Sequence, residues 1–136
     1  MLDHDALILI VDDMKLVRNA IKQYLKSLGY NNIVEAENGA EAVKKFQDNK
    51  IAFIFMDVVM PIMTGSEALR KIRELDGGVP IAMLSSVAEQ KTIDDCKMLG
   101  ILDYILKPLN AASGPDTLKS VLEKAHFAKA SAKSGI

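Results

Sequence analysis

Four apolar runs in this 136-residue chain each end in side chains able to do polar chemistry. The run 6–11 leads into Asp12 and Asp13, the run 51–56 into Asp57, the run 79–84 into Ser85 and Ser86, and the run 101–106 into Lys107 and Pro108. From Asp13 to Asp57 to Ser85 to Lys107 the steps are 44, 28 and 22 residues, so only a fold can bring these groups together. In an open α/β sheet, ligands bind beyond the carboxyl ends of the strands, and that rule gathers three carboxylates, a hydroxyl and an ammonium at one rim. Three carboxylates so close repel and raise one another's pKa unless a cation shares the site. The natural cation is hard and divalent, and Mg²⁺ suits a site with few protein oxygens because it keeps several of its waters. Such a metal draws a phosphoryl group, whose oxygens Lys107 and the Ser85 hydroxyl meet from the other side. A carboxylate nucleophile beside the metal is then placed to accept the phosphoryl group.

The elements that must position these residues are visible in the hydropathy pattern. The four runs are mostly unbroken rather than alternating, as expected of strands buried on both faces of a parallel sheet, and 33–36 is a weaker fifth strand. After the first strand, Leu16, Val17, Ala20, Ile21, Tyr24, Leu25 and Leu28 fall at helical spacing. Lys15, Arg18, Asn19, Lys22, Gln23 and Lys26 fall on the other side, and Gly29 stands where that helix should stop. Further helices are predicted over 40–46, 65–75, 87–99 with Gly100 as a stop, and 115–130. Thr64 with Glu67, Ser86 with Glu89 and Ser113 with Asp116 fit the capping box that opens a helix. Five strands alternating with five helices predict an α/β fold with a doubly wound parallel sheet. Residues 1–130 are expected to form the domain, and the small, polar stretch 131–136 a flexible tail.

Composition removes several function classes. With 17 basic and 18 acidic residues and a net charge of −1, no basic surplus favours direct binding of nucleic acid or of an anionic membrane. The longest apolar runs are six residues, against about 20 for a spanning helix, so no membrane insertion is expected. The acidic start of the chain is unlike a secretory signal, which predicts a cytoplasmic protein. Cys96 has no partner for a disulfide, and His4 and His126 have no zinc-ligand spacing. Cys96 shares a helical face with Ile93 and is expected to be buried, and Met14, Met56, Met60, Met63 and Met83 are read as core filling.

Val11-Asp12-Asp13, Met56-Asp57 followed by Met60-Pro61 and Gly65, Leu84-Ser85-Ser86, and Tyr104 three residues before Lys107-Pro108 stand in order at the predicted strand ends. In these motifs the sequence resembles the receiver domain of two-component response regulators, close in length and layout to the single-domain chemotaxis type. The resemblance implies a flavodoxin-like receiver fold of five strands and five helices. It implies that Asp57 is the phosphoacceptor, with Lys107 and Ser85 binding the phosphoryl oxygens. Asp13, Asp57 and the Val59 backbone carbonyl would ligate Mg²⁺, with Asp12 acting mainly through water and Mn²⁺ able to substitute. Tyr104, with Ser85, would be the conformational switch, and a cis peptide is implied between Lys107 and Pro108. The phosphoryl source would be a sensor histidine kinase or a phosphotransfer protein. The downstream target protein would dock on the face formed by the fourth helix, fifth strand and fifth helix.

Departures from the family pattern refine that expectation. Val59 and Val87, two residues beyond Asp57 and Ser85, stand where the family is often polar, and neither can orient an attacking water. A comparatively long-lived phosphoaspartate is therefore expected. Ser86 stands in place of a smaller residue, which would slow entry of bulky donors, Leu109 stands where the family more often has Phe, and the segment 110–115 is long and rich in small residues.

The domain leaves no chain for an output module, so the signal is expected to pass by contact with another protein rather than by enzymatic turnover of substrates. Two alternatives stay open: an interaction module that is not phosphorylated, and a small phosphohydrolase turning over an aspartyl phosphate. The second lacks the Asp-x-Asp arrangement such enzymes carry, since Val59 stands two residues past Asp57. A flavin or nucleotide binder would need a phosphate cradle after the first strand, and Asp12-Asp13 is the opposite.

Overall fold

The computed structural model describes residues 2–134. The strands are β1 (Ile8–Val11), β2 (Ile33–Ala36), β3 (Phe53–Met56), β4 (Ile81–Ser85) and β5 (Asp103–Leu106). They alternate with α1 (Lys15–Ser27), α2 (Gly39–Asp48), α3 (Gly65–Leu75), α4 (Gln90–Leu99) and α5 (Gly114–Ser134). All pairings are parallel, in the order β2-β1-β3-β4-β5, so the doubly wound sheet expected from the sequence is the fold.

The unbroken apolar strands have a simple cause: each faces two cores. Leu9, Val11, Ile54, Met56, Ile81 and Met83 point to one side, against Ala42 of α2, Ala68, Leu69 and Ile72 of α3 and Cys96 of α4. Their neighbours Ile8, Ile10, Phe53, Phe55, Ala82 and Leu84 point to the other, against Ile21 and Leu25 of α1 and Leu118, Val121, Leu122 and Ala125 of α5. With a side-chain period of two, both sets must be apolar. The strands are shorter at their starts than the apolar runs, because residues such as Ile51 and Ile101 pack on the core outside the paired ladder.

Helix boundaries differ from the sequence expectation in four places. Helix α4 begins at Gln90 rather than 87, and Ser86 caps nothing. Residues 86–89 are held out as a loop, because the Val87 amide donates to Ser85 Oγ (3.1 Å) and the Val87 carbonyl accepts from the Tyr104 hydroxyl (2.7 Å). Ser113 precedes α5, but its hydroxyl donates to Asn110 Oδ1 instead of accepting from Asp116. Asn110 Oδ1 also accepts from the amides of Ala112 and Ser113, which turns the small-residue segment into a compact turn. Helix α2 starts at Gly39 because the Asn38 side chain accepts from the Glu41 amide (2.8 Å). Helix α5 runs on to Ser134, so 131–134 continue the helix, while 135–136 of the expected tail lie outside the described residues. Thr64 caps α3 as expected.

The phase of α1 is the largest surprise. Leu16, assigned to the core face, is 78% exposed, and Arg18, assigned to solvent, is buried. Met14, expected in the core, is also exposed, whereas Met56, Met60 and Met83 are buried as expected. Cys96 is fully buried, and that burial pushes its thiol above the ordinary pKa.

Candidate functional site

The strand order reverses direction between β1 and β3, and the site sits there. Val11 and Met56 are register partners, and the Asp57 amide donates to the Val11 carbonyl (2.9 Å), so Asp12 and Asp57 emerge side by side. Ser85 and Leu106 are partners in β4 and β5, and the Lys107 amide donates to the Ser85 carbonyl (2.9 Å). Register alone therefore brings Asp12, Asp57, Ser85 and Lys107 to one edge, as expected from the strand ends.

Asp12, Asp57 and Ser85 are buried, and Asp13 is exposed. Lys107 Nζ donates to Asp12 Oδ2 (2.5 Å) and to Asp57 Oδ2 (3.2 Å), neutralising part of the acid cluster. Burial alone would pull the Lys107 pKa down, but its hydrogen bond to Asp12 and the charge of Asp57 outweigh this, and the ammonium titrates above the usual lysine range. The second oxygen of each buried acid is held by backbone, Asp12 Oδ1 by the Met14 amide (2.9 Å) and Asp57 Oδ1 by the Val58 amide (2.7 Å). Tyr104 is half-buried, and burial pushes its phenol up. The Lys107–Pro108 peptide is cis.

One carboxylate oxygen from each of Asp12, Asp13 and Asp57 lies within 4.8 Å of the others. Mg²⁺ takes oxygen ligands and keeps several of its waters, so this all-oxygen, acidic set has the donor chemistry such an ion needs, with waters completing the shell. Val59, whose carbonyl the receiver resemblance adds to the set, lies in the β3–α3 loop and is 60% exposed.

Two contributors were not recognised from sequence. Gly65 was noted only as part of a motif, yet a Cβ built on it would lie 1.8 Å from the Asp57 carbonyl oxygen. The first turn of α3 therefore packs directly on the backbone that carries Asp57. Arg18 was assigned to solvent, yet it reaches the Asp12 carbonyl. The available signal was Arg18 and Lys22, one helical turn apart, with a lone Glu35 on the neighbouring strand.

Ile62, in the same β3–α3 loop, combines a positive φ of 69° with 84% exposure. A β-branched residue in the left-handed region is strained, and so exposed a side chain recovers little by packing. Ile62→Asn is expected to raise stability by about 1 kcal/mol, read as a rise of about 3 °C in Tm. An unchanged or lower Tm would show that the strain is not there to relieve.

A buried aspartate bracketed by a lysine and an acid pair, at the switch point of a 2-1-3-4-5 sheet, is the arrangement the receiver resemblance implied. The family pattern of the response regulator receiver domain matches residues 8–134, and the chain belongs to that family. It is 39% identical over 104 residues to the chemotaxis protein CheY of Bacillus subtilis, covering 76% of this chain and 87% of that protein. To CheY of Listeria monocytogenes it is 38% identical over 118 residues, covering 87% and 96%. Among solved structures it resembles CheY in the CheX–CheY–BeF₃–Mg²⁺ complex of Borrelia burgdorferi, with a TM-score of 0.79, 32% identity, and 85% and 88% of the two chains covered. It likewise resembles a CheY-like receiver domain protein of Methanospirillum hungatei, with a TM-score of 0.83, 28% identity, and 92% and 97% covered. The class is thus a receiver domain of two-component signalling, of the CheY type. Among the described residues, no helix is long and apolar enough to cross a membrane.

Proposed function

We propose that this protein is a phosphorylation-operated response regulator that accepts a phosphoryl group on Asp57 and signals through protein contacts. The observation that supports it most is the placement of Asp57 between Lys107 and the Asp12–Asp13 pair. Asp12, Asp13, Asp57 and the Val59 carbonyl would hold Mg²⁺, or Mn²⁺ in its place. Bound there, the metal would neutralise charge on the transferring phosphoryl oxygens.

The residues of the chain supply the rest. An Asp57 carboxylate oxygen attacks phosphorus; the O–P bond forms as the N–P bond of a donor phosphohistidine breaks, and the leaving imidazole takes up a proton. Lys107, held protonated beside Asp57, pairs with the phosphoryl oxygens, and the Ser85 hydroxyl donates to one of them. The donor is a sensor histidine kinase or a phosphotransfer protein in the cytoplasm. Tyr104 and Ser85 form the switch, because the Val87 backbone bonds to both their hydroxyls and so ties β5 to the start of α4. A new anion at Ser85 thus biases the surface of α4, β5 and α5, where a target protein docks. Leu106 on the edge strand is exposed there.

Incubation with acetyl phosphate and Mg²⁺, followed on a phosphate-affinity gel, should give one phosphoryl group per chain, released by base and by hydroxylamine as an acyl phosphate is, and abolished by EDTA. No labelling, or labelling that EDTA leaves intact, would overturn this reading. Because Val59 and Val87 cannot orient water, the label should persist for minutes or longer after donor removal, and loss within seconds would count against that part.

A further inference from the structure

Among the buried groups of this domain, Arg18 has no role in the chemistry above, although burying a guanidinium is costly unless its hydrogen bonds are satisfied. Its Nη1 donates to the main-chain carbonyl of Asp12 (2.7 Å) and its Nε to Glu35 Oε1 (3.0 Å). Lys22, one turn further along α1, takes the other oxygen of Glu35 at 2.7 Å. The Asp12 amide, in turn, donates to the Ala36 carbonyl (3.1 Å). Both polar atoms of the Asp12 peptide are thereby tied to adjacent residues of β2, one directly and one through Arg18. The other ties on this turn run through the Asp12 carboxylate itself, to the Met14 amide and Lys107, and α1 opens at Met14 with no side-chain cap, so Arg18 and Ala36 are what hold the Asp12 main chain.

We infer that Arg18 is a positioning residue for the acid pair, clamping the Asp12 backbone to Glu35 so that the Asp12 and Asp13 carboxylates are already aimed at the cation site. This rests on the metal-dependent reading above. A group that orients a ligand's backbone in advance removes an ordering cost from metal binding, and loss of such supporting contacts typically weakens affinity by about 10- to 100-fold. Lysine in place of Arg18 keeps the charge but not the fork that spans a carbonyl and a carboxylate at once. The Glu35 carboxyl is held below its ordinary pKa by its hydrogen bond to Lys22, against burial, and then by Arg18, so it stays ionised as the anchor.

The test is a Mg²⁺ titration of the ¹⁵N-labelled full chain followed by NMR, at a temperature where melting curves in EDTA show every variant folded. Arg18→Met should weaken Mg²⁺ binding by about tenfold and slow acetyl phosphate labelling in proportion at subsaturating Mg²⁺, with labelling recovered at high Mg²⁺. Glu35→Leu, which leaves Arg18 present but unanchored, should weaken binding in the same direction by about threefold, and Arg18→Lys should restore only part of the loss. Unchanged Mg²⁺ affinity in both folded Arg18→Met and Glu35→Leu overturns the inference. Full recovery by Arg18→Lys also overturns it, since charge and not the clamp would then be at work. If the unsubstituted chain shows no saturable Mg²⁺ shifts, the metal-dependent reading itself fails, and the inference with it.

Discussion

Replacement of Asp57 by asparagine is expected to reduce labelling by acetyl phosphate to background while leaving the protein folded and more heat-resistant without metal. The first part follows from chemistry, because a neutral amide oxygen is a poor nucleophile for phosphorus where a carboxylate is an effective one. The second follows from the geometry. Asp57 is buried beside two other carboxylates, with one ammonium shared between Asp57 and Asp12. Lys107 lies nearer to Asp12 (2.5 Å) than to Asp57 (3.2 Å), so losing the Asp57 charge relieves repulsion while the shorter ion pair is retained. In EDTA the Tm should rise by a few degrees, about 1 kcal/mol. Mg²⁺ should then stabilise the unsubstituted chain more than Asp57→Asn, narrowing or reversing the gap, since binding to the native state adds stability in proportion to affinity. Undiminished labelling would move the phosphoacceptor elsewhere, and a lower Tm in EDTA would show that Asp57 is a net stabilising member of the cluster.

Gly65→Ala should be the most damaging conservative change in the domain. The added carbon would sit 1.8 Å from the Asp57 carbonyl oxygen, 2.8 Å from its carbonyl carbon and 3.0 Å from Val58 Cα. Those are backbone atoms at the end of a central strand, so no flexible side chain can yield. The Gly65 amide also donates to the Val58 carbonyl (2.8 Å), and moving α3 away to admit the methyl breaks that bond. A loss of about 3 kcal/mol or more is expected, near the upper end for single substitutions, with weakened Mg²⁺ binding because the displaced segment carries Asp57. Gly77→Ala is the matched control: nothing lies within 4 Å of its built Cβ, and its effect should fall within about 0.5 kcal/mol. Equal denaturation midpoints for the two variants would show that the α3 contact relaxes freely.

The chemistry of the site was readable in the sequence because each group stands at the carboxyl end of its own strand, Ser85 as the last residue of β4 and the others just beyond theirs. Asp12, Asp57, Ser85 and Lys107 need only the parallel order of the strands to meet, and unbroken apolar runs already demand that order. Thr64 was readable for the same local reason, its partner Glu67 lying three residues away. Arg18 was misread because amphipathic spacing treats every charged residue as outward-facing, whereas the Arg18–Glu35 pair spans 17 residues and exists only once β2 lies beside β1. The start of α4 was misread likewise: Ser86 and Glu89 make a good local capping pattern, but Ser85 and Tyr104, the latter 17 residues from Val87, hold the loop open.

The element order, the two-sided burial of the sheet and the identity of the acid, hydroxyl and ammonium groups are thus all legible along the chain, since they are written in residues next to one another. Tertiary structure alone decided the phase of α1, the late start of α4 and the contact of Gly65 with the Asp57 backbone. Each of those depends on hydrogen bonds or steric contacts between segments that touch only after the sheet has assembled, and such contacts override local preference.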